Sequence, residues 1–286
     1  MTLSTSVRII RNVPEKLRNI PQPPRQLYVL GDVNELLGRP CVTVVGSRKV
    51  SAYGRAVTLR LAGELAKSGI VIISGLAIGV DSLAHQAALE AGGLTIAVLP
   101  SGVENVYPPS HHGLAKQILQ QGGALISEYP AGEIAYKDHF IARNRIASGL
   151  GDALLITEAA EKSGTLHTAN FALEQGRPVL AVPGNITSPT SAGTNNLIKT
   201  GATPVTSVRD IFHALGLEAT EERREAPRSG NPHEQALLDL LFSGLSDGAE
   251  ILEQSGLEVR LYNQALTMLE IRGQIRPLGN NRWALR

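Results

Sequence analysis

The stretch KDHFIARNRIASG, Lys137 to Gly149, places Lys137, Phe140, Arg143 and Arg145 within nine residues. An aromatic ring beside Lys and Arg is the combination that stacks a base while holding its phosphate. A helix here sets Phe140 and Arg143 on one face at i, i+3, whereas Arg143 and Arg145, two apart, point in different directions and must do separate jobs. The plainer alternative is a core Phe flanked by surface cations. A second cluster lies in VTVVGSRKVSAYGR, Val42 to Arg55, where an apolar run enters a loop carrying Arg48 and Lys49 between Gly46 and Gly54. Backbone N–H groups at a helix start attract an anion, and Arg48 adds a bidentate guanidinium. The spelling fits neither GxGxxG nor GxxxxGK followed by Ser or Thr, because Ser47 and Arg48 follow Gly46 and the next glycine is Gly54.

Two more corners carry reactive side chains. In IISGLAIGVDSLAH, Gly75 and Gly79 allow a tight turn, Asp81 is placed to cap the next helix, and Asp81 and His85 share a face at i, i+4. That spacing leaves a metal or acid–base pair open beside simple capping, although no third ligand is evident. In ITEAAEKSGTLHTANFALEQGR, Ser163, Gly164 and Thr165 form a polar turn that opens a helix, and Glu158 could be a general base or an arginine's partner. The loop AVPGNITSPTSAGTNNLIKTGA offers Gly184, Gly193 and Asn195 to close over a crevice, with Lys199 nearby.

Positioning these corners requires alternating elements. VTVV, IVIIS, TIAVL, ALIS, ALLIT and PVLAV are apolar on both faces, as strands of a parallel sheet covered on both sides must be. Helical patterns lie between them, each ended by a glycine suited to a C-cap. The βα order predicts an α/β doubly wound, mostly parallel sheet with ligands at the strands' carboxyl ends. Residues 1–40 read as a basic, Pro-rich extension packed on a core at 41–216; 217–232 read as a charged linker; 233–286 read as three short helices and two strands around a GNN turn, a winged-helix pattern.

Composition limits what these parts can do. A formal net charge of +1 with 19% charged residues means that nucleic-acid binding must come from a local patch. One cysteine, Cys41, excludes an intramolecular disulfide and fits a reducing compartment. No stretch approaches the roughly 20 apolar residues of a membrane span, and the first residues lack a continuous apolar signal core, so a cytoplasmic location is expected. From His233 onward, five arginines face seven carboxylates, a formal −2, which favours a protein-interaction role over a duplex-reading one.

VGSRKVSAYG, SGLAIGVDSLAH, AVLPSGVENVYPPSHHGL, ISEYPAG, HFIARNRIASGLGDALLITEA, SGTLHTANFALEQGRPVLAVPG and GTNNLIKTGA occur in the order found in the DprA/Smf (DNA-processing protein A) family, which the chain resembles over about residues 25–210. The resemblance implies an extended Rossmann-like domain, often followed by a winged helix, that binds single-stranded DNA and loads the RecA recombinase in natural transformation. It also implies a homodimer through the Rossmann-like domain and no catalysis, cofactor or metal. Carried onto this sequence, it assigns DNA contact to Arg48, Lys137, Phe140, Arg143 and Arg145, with backbone approach at Gly46, Ser47, Gly75, Ser163, Gly164 and Thr165. Members often start with a helical module that has no counterpart in the residues before Cys41. The weighed alternative is a nucleoside-monophosphate phosphoribohydrolase of the lysine-decarboxylase-like fold, but SGTLHTA lacks that family's paired glycines and following Glu.

Overall fold

All six apolar runs form strands, and each holds a helix layer on either face. The computed structural model describes residues 6–217 and 229–285; residues 218–228, most of the expected linker, lie outside the described residues. The chain divides into two units, Met1–Ala219 and Thr220–Arg286. In chain order the first contains β1 (Arg8–Ile10), α1 (Glu15–Arg18), β2 (Leu27–Leu30), α2 (Asn34–Leu37), β3 (Cys41–Val45), α3 (Ala52–Lys67), β4 (Val71–Ser74), α4 (Val80–Glu90) and β5 (Thr95–Leu99). It continues through α5 (His112–Gln120), β6 (Ala124–Ser127), α6 (Lys137–Leu150), β7 (Ala153–Ile156), α7 (Thr165–Glu174), β8 (Val179–Ala181), α8 (Ala192–Lys199), β9 (Thr203–Pro204) and α9 (Val208–Ala214).

The sheet order is β1-β2-β6-β5-β4-β3-β7-β8-β9, parallel from β6 to β9. Strand order reverses between β3 and β7, which makes the carboxyl ends of those two strands the switch point where such folds open a crevice. Alternate residues feed the two layers. Val42, Val44, Ile72 and Leu155 pack with Leu61, Leu65 and Ala84 of α3 and α4, while Ile73, Ile96, Val98 and Ile126 pack with Leu17 of α1 and Ile146 and Leu150 of α6. The region before Cys41 adds two antiparallel strands, β1 on β2 and β2 on β6, and buries Leu17, Leu27 and Val29 in that second layer. Lys16 ties it down through Asp152 at 2.8 Å. Cys41 is buried against the same layer, and burial pushes its thiol up to about 11.

The second unit holds α10 (Pro232–Phe242), α11 (Gly248–Ser255), α12 (Val259–Ile271), β10 (Ile275–Gly279) and β11 (Arg282–Leu285), the element order of a winged helix. Asn280 and Asn281 take left-handed φ of 50° and 57° at the hairpin tip, a conformation asparagine tolerates. Its core is Leu237, Leu238, Ile251, Tyr262, Leu266 and Leu269, with buried Glu234 paired to Arg272 at 2.6 Å.

Candidate functional site

Parallel strands send their following loops to one end, so the turns after β3, β4, β5, β6 and β7 share it. Three are stitched together by backbone groups. Ser47 N–H donates to Glu158 O at 2.8 Å, and Val80 N–H donates to Ser47 O at 3.1 Å. Gly46 sits where a Cβ would fall 2.7 Å from both Glu158 O and Val80 Cγ2, and Gly79 has φ +92° with Ser47 O against it. Glycine is therefore needed at both positions for the loops to touch. Thr165 Oγ1 adds a bond to Gly46 O at 3.0 Å, while Ser163 Oγ donates to Thr165 Oγ1 at 3.0 Å and accepts from Thr165 N–H. These two hydroxyls brace the turn, whereas Gly164 is exposed, with open space around its Cα.

The start of α3 is already occupied by an anion, and the anion belongs to the chain. Glu158, 1% exposed, accepts from Ser51 N–H at 2.8 Å and Ser51 Oγ at 2.5 Å. Ser51 in turn caps α3 by accepting from Gly54 N–H at 3.0 Å. A Cβ at Gly54 would fall 2.5 Å from Glu158 Oε2. Glu158 is thus neither an arginine's partner nor an acid open to solvent, and the expected anion site at the start of α3 is corrected in one respect: a carboxylate of the chain already takes Ser51 N–H, and Gly54 N–H is taken by the Ser51 hydroxyl.

Arg48 remains exposed beside this closed corner, with Cζ 5.5 Å from the centroid of the Phe140 ring. That separation is within cation–π range. Tyr107, 47% exposed, meets the same ring edge-on at 5.3 Å. Lys137, the first residue of α6, is exposed, and neither it nor Arg48 has a carboxylate partner among the described residues. Two free cations and two accessible rings therefore come together where β3, β5 and β6 end. Tyr107 was not singled out from the sequence; its signal was only its place in VENVYPPS, between two other corners.

The two arginines of the motif turn inward, which corrects the expectation that they contact DNA. Arg143 is 5% exposed; its guanidinium donates to Gly75 O at 2.5 Å and to Val98 O, and its Nε donates to Asn144 Oδ1 at 3.0 Å. It pins α6 to the ends of β4 and β5. Gly75 is buried because the guanidinium fills the space a Cβ would take, so its lack of a side chain serves Arg143 and not an approaching strand. Arg145 bonds Glu128 at 2.5 Å, just beyond β6. The separate roles read from their spacing are present, and both are internal.

Asp81 does not cap α4, which begins at Val80 behind Gly79. Its carboxylate accepts from Gly75 N–H at 3.1 Å and Ala77 N–H at 3.4 Å, closing the turn one residue pair earlier. Burial pushes this carboxyl up and the Arg143 guanidinium down, and each opposes the other's shift. His85 is fully buried. Thr95 Oγ1 donates to Ile72 O at 2.7 Å, so His85 Nδ1–H is the donor to Thr95 Oγ1 at 2.6 Å. Burial, then Arg143 and His111, lower the His85 pKa to about 3, which keeps the ring neutral. Among the described residues no three His, Cys, Asp or Glu side chains group as metal ligands. On the other side of the switch point, Asn195 holds Gly184 through its N–H and C=O, both at 3.1 Å. A cavity of about 430 Å³ lies there, lined by Tyr53, Asn185, Ser188 and Thr190.

The family model described as DNA recombination-mediator protein A matches residues 7–216. The chain is 40% identical over 205 residues to the DNA processing protein DprA of Bacillus subtilis, covering 72% of this chain and 69% of that one. It is 44% identical over 202 residues to the protein Smf of Escherichia coli, covering 71% of this chain and 54% of the relative, about half its length. Among solved structures, DNA processing protein A from Helicobacter pylori, described with a single-stranded DNA binding mode, matches with a TM-score of 0.68 and 33% identity over 75% of this chain and 98% of that one.

Proposed function

The chain belongs to the DNA recombination-mediator protein A family, and from that membership we propose that it binds single-stranded DNA at the carboxyl ends of β3, β5 and β6. The observation that carries the reading is the Arg48 guanidinium over the Phe140 ring beside unpaired Lys137. Arg48 and Lys137 hold phosphates, Phe140 stacks a base, and Gly46, Ser47, Ser163, Gly164 and Thr165 form the turns that bring the strand close. Arg143, Arg145 and Gly75 act one layer beneath, fixing the helix that presents Phe140. Aromatic residues make up only 4% of the chain, so phosphate contacts dominate and affinity falls strongly with salt. The description of the Helicobacter pylori relative supports the choice of a single strand.

The same membership supports a mediator role in which the bound strand is protected and passed to the RecA recombinase, by a homodimer formed through the first unit, in the cytoplasm. No helix among the described residues is long and apolar enough to cross a membrane. No catalytic step is assigned: Glu158, the acid best placed to serve as a base, is held by Ser51. The winged-helix unit serves protein contact or regulation, since the exposed side of α12 carries one Arg260 against one Glu270. The test is a titration of single-stranded and duplex oligonucleotides at several salt concentrations, with and without RecA. Equal affinity for both would sink the proposal.

A further inference from the structure

Three rings at the start of α6 have no part in the site as described. Tyr136 is 53% exposed and precedes Lys137 as the N-cap residue of α6, with extended backbone at φ −100° and ψ 159°. Its ring meets His139 edge-on at 5.2 Å and 81°. His139 lies flat on Tyr129 at 3.8 Å and 13°, and its Nδ1–H donates to Pro100 O at 3.1 Å. The imidazole is therefore clamped on one face and one edge, and it fixes the Tyr136 ring while leaving about half of that residue open. The Tyr136 hydroxyl has no hydrogen-bond partner among the described residues, so nothing polar draws the ring to this position.

We propose that Tyr136, backed by His139 and Tyr129, is a second nucleobase-stacking position one helical turn before Phe140. The inference rests on the reading of Arg48, Lys137 and Phe140 as the DNA site. Four residues at 1.5 Å rise set the two backbone positions about 6 Å apart along the helix axis. That is roughly two stacked-base steps of 3.4 Å, enough for two nearby bases of one strand to meet separate rings. Lys137 lies between them in sequence and is free to hold the connecting phosphate. Charge selects the occupant: rings flanked by two unpaired cations, Lys137 and Arg48, suit a polyanion with flat apolar faces, which a single nucleic-acid strand is and an uncharged apolar peptide is not.

The experiment uses the full chain with oligo-dT carrying one 5-iodouracil, photo-cross-linked and mapped by peptide mass, beside affinity and salt titrations of Tyr136→Ala, Tyr136→Phe and Arg48→Ala. Tyr136 is exposed, so both of its variants should melt with the parent. The expected results are a cross-link on the peptide containing Tyr136 and an affinity loss of roughly five- to a hundredfold for Tyr136→Ala at an unchanged salt slope, with Tyr136→Phe close to the parent. If Tyr136→Ala binds within twofold of the parent while Arg48→Ala is weakened, this inference is wrong and the site stands. If Arg48→Ala also binds as the parent does, the site reading fails and the inference falls with it.

Discussion

Arg143→Ala separates a residue that touches DNA from one that holds the site up. In the structure the side chain is 5% exposed and supplies donors to Gly75 O and Val98 O, with the buried Asp81 carboxylate acting on it electrostatically. Truncation takes one donor from each of these carbonyls and removes the cation that acts on the buried Asp81. Hydrogen bonds to a charged group are worth about 1.5–3 kcal/mol each, so losing two costs about 3–6 kcal/mol. For a unit of this size each kcal/mol lowers Tm by roughly 2–4 °C, so Tm should fall by about 6–24 °C. Gly75→Ala should do much the same, because the added Cβ would displace the guanidinium. Adding Asp81→Asn to Arg143→Ala should cost less than the two changes summed, since the acid left unpaired is then gone. The assay is thermal unfolding by circular dichroism, paired with oligo-dT binding well below each variant's Tm. Where the variant is folded, the salt slope should match the parent's, because no phosphate contact has been removed. A Tm within 2 °C of the parent together with a shallower salt slope would falsify the strut assignment and return Arg143 to the DNA surface.

Other outcomes follow from the same geometry. Arg48→Ala should weaken oligo-dT binding and reduce the salt slope by about one, whereas Phe140→Ala should weaken it with the slope unchanged; identical slopes for both variants would count against the division of labour. His85 has a folded pKa of about 3, below its ordinary 6.5. The unfolded chain therefore takes up the proton first as pH falls, and stability is lost below about pH 6.5, by about 2 kcal/mol at pH 5. The parent's Tm should accordingly drop more steeply between pH 6.5 and 5 than that of His85→Asn, and parallel curves would refute this. Residues 229–286 alone should bind duplex DNA weakly; tight binding with a steep salt dependence would overturn the protein-contact role.

What the sequence made legible was whatever depends on local pattern. Six strands were readable because runs such as IVIIS and ALLIT are apolar on both faces, and only a doubly covered sheet accepts that. β1 and β2 were not, since RII and LYVL are three and four residues long among prolines and arginines and owe their pairing to the edge offered by β6. The glycine rule for helix ends held at Gly69, Gly92, Gly122 and Gly176, all with positive φ, and failed at Gly151, where φ is −75°. There Thr43 Oγ1, not an open turn, fixes the need for a small residue. Burial of Arg143 was invisible because its partners Gly75, Val98 and Asp81 lie between 45 and 68 residues away, and a strut and a surface cation spell alike.

The loop at Gly46 shows why a near-miss to a nucleotide fingerprint can be informative. A mononucleotide site leaves the N–H groups at a helix start open for phosphate. Here Glu158, sent from the end of β7, places its carboxylate against Ser51 at that position and against the face of Gly54. The chain has supplied its own anion at Ser51, and the exposed Arg48 side chain stands further out to meet an incoming phosphate. Glu158→Ala tests the argument directly. Loss of the carboxylate orphans Ser51 N–H and should cost about 1–3 kcal/mol. It should also open the start of α3, so millimolar phosphate or sulfate should raise the variant's Tm by several degrees more than the parent's, through binding to the folded state alone. Equal responses of variant and parent to the added anion would mean that the carboxylate serves the loop's shape and not its charge.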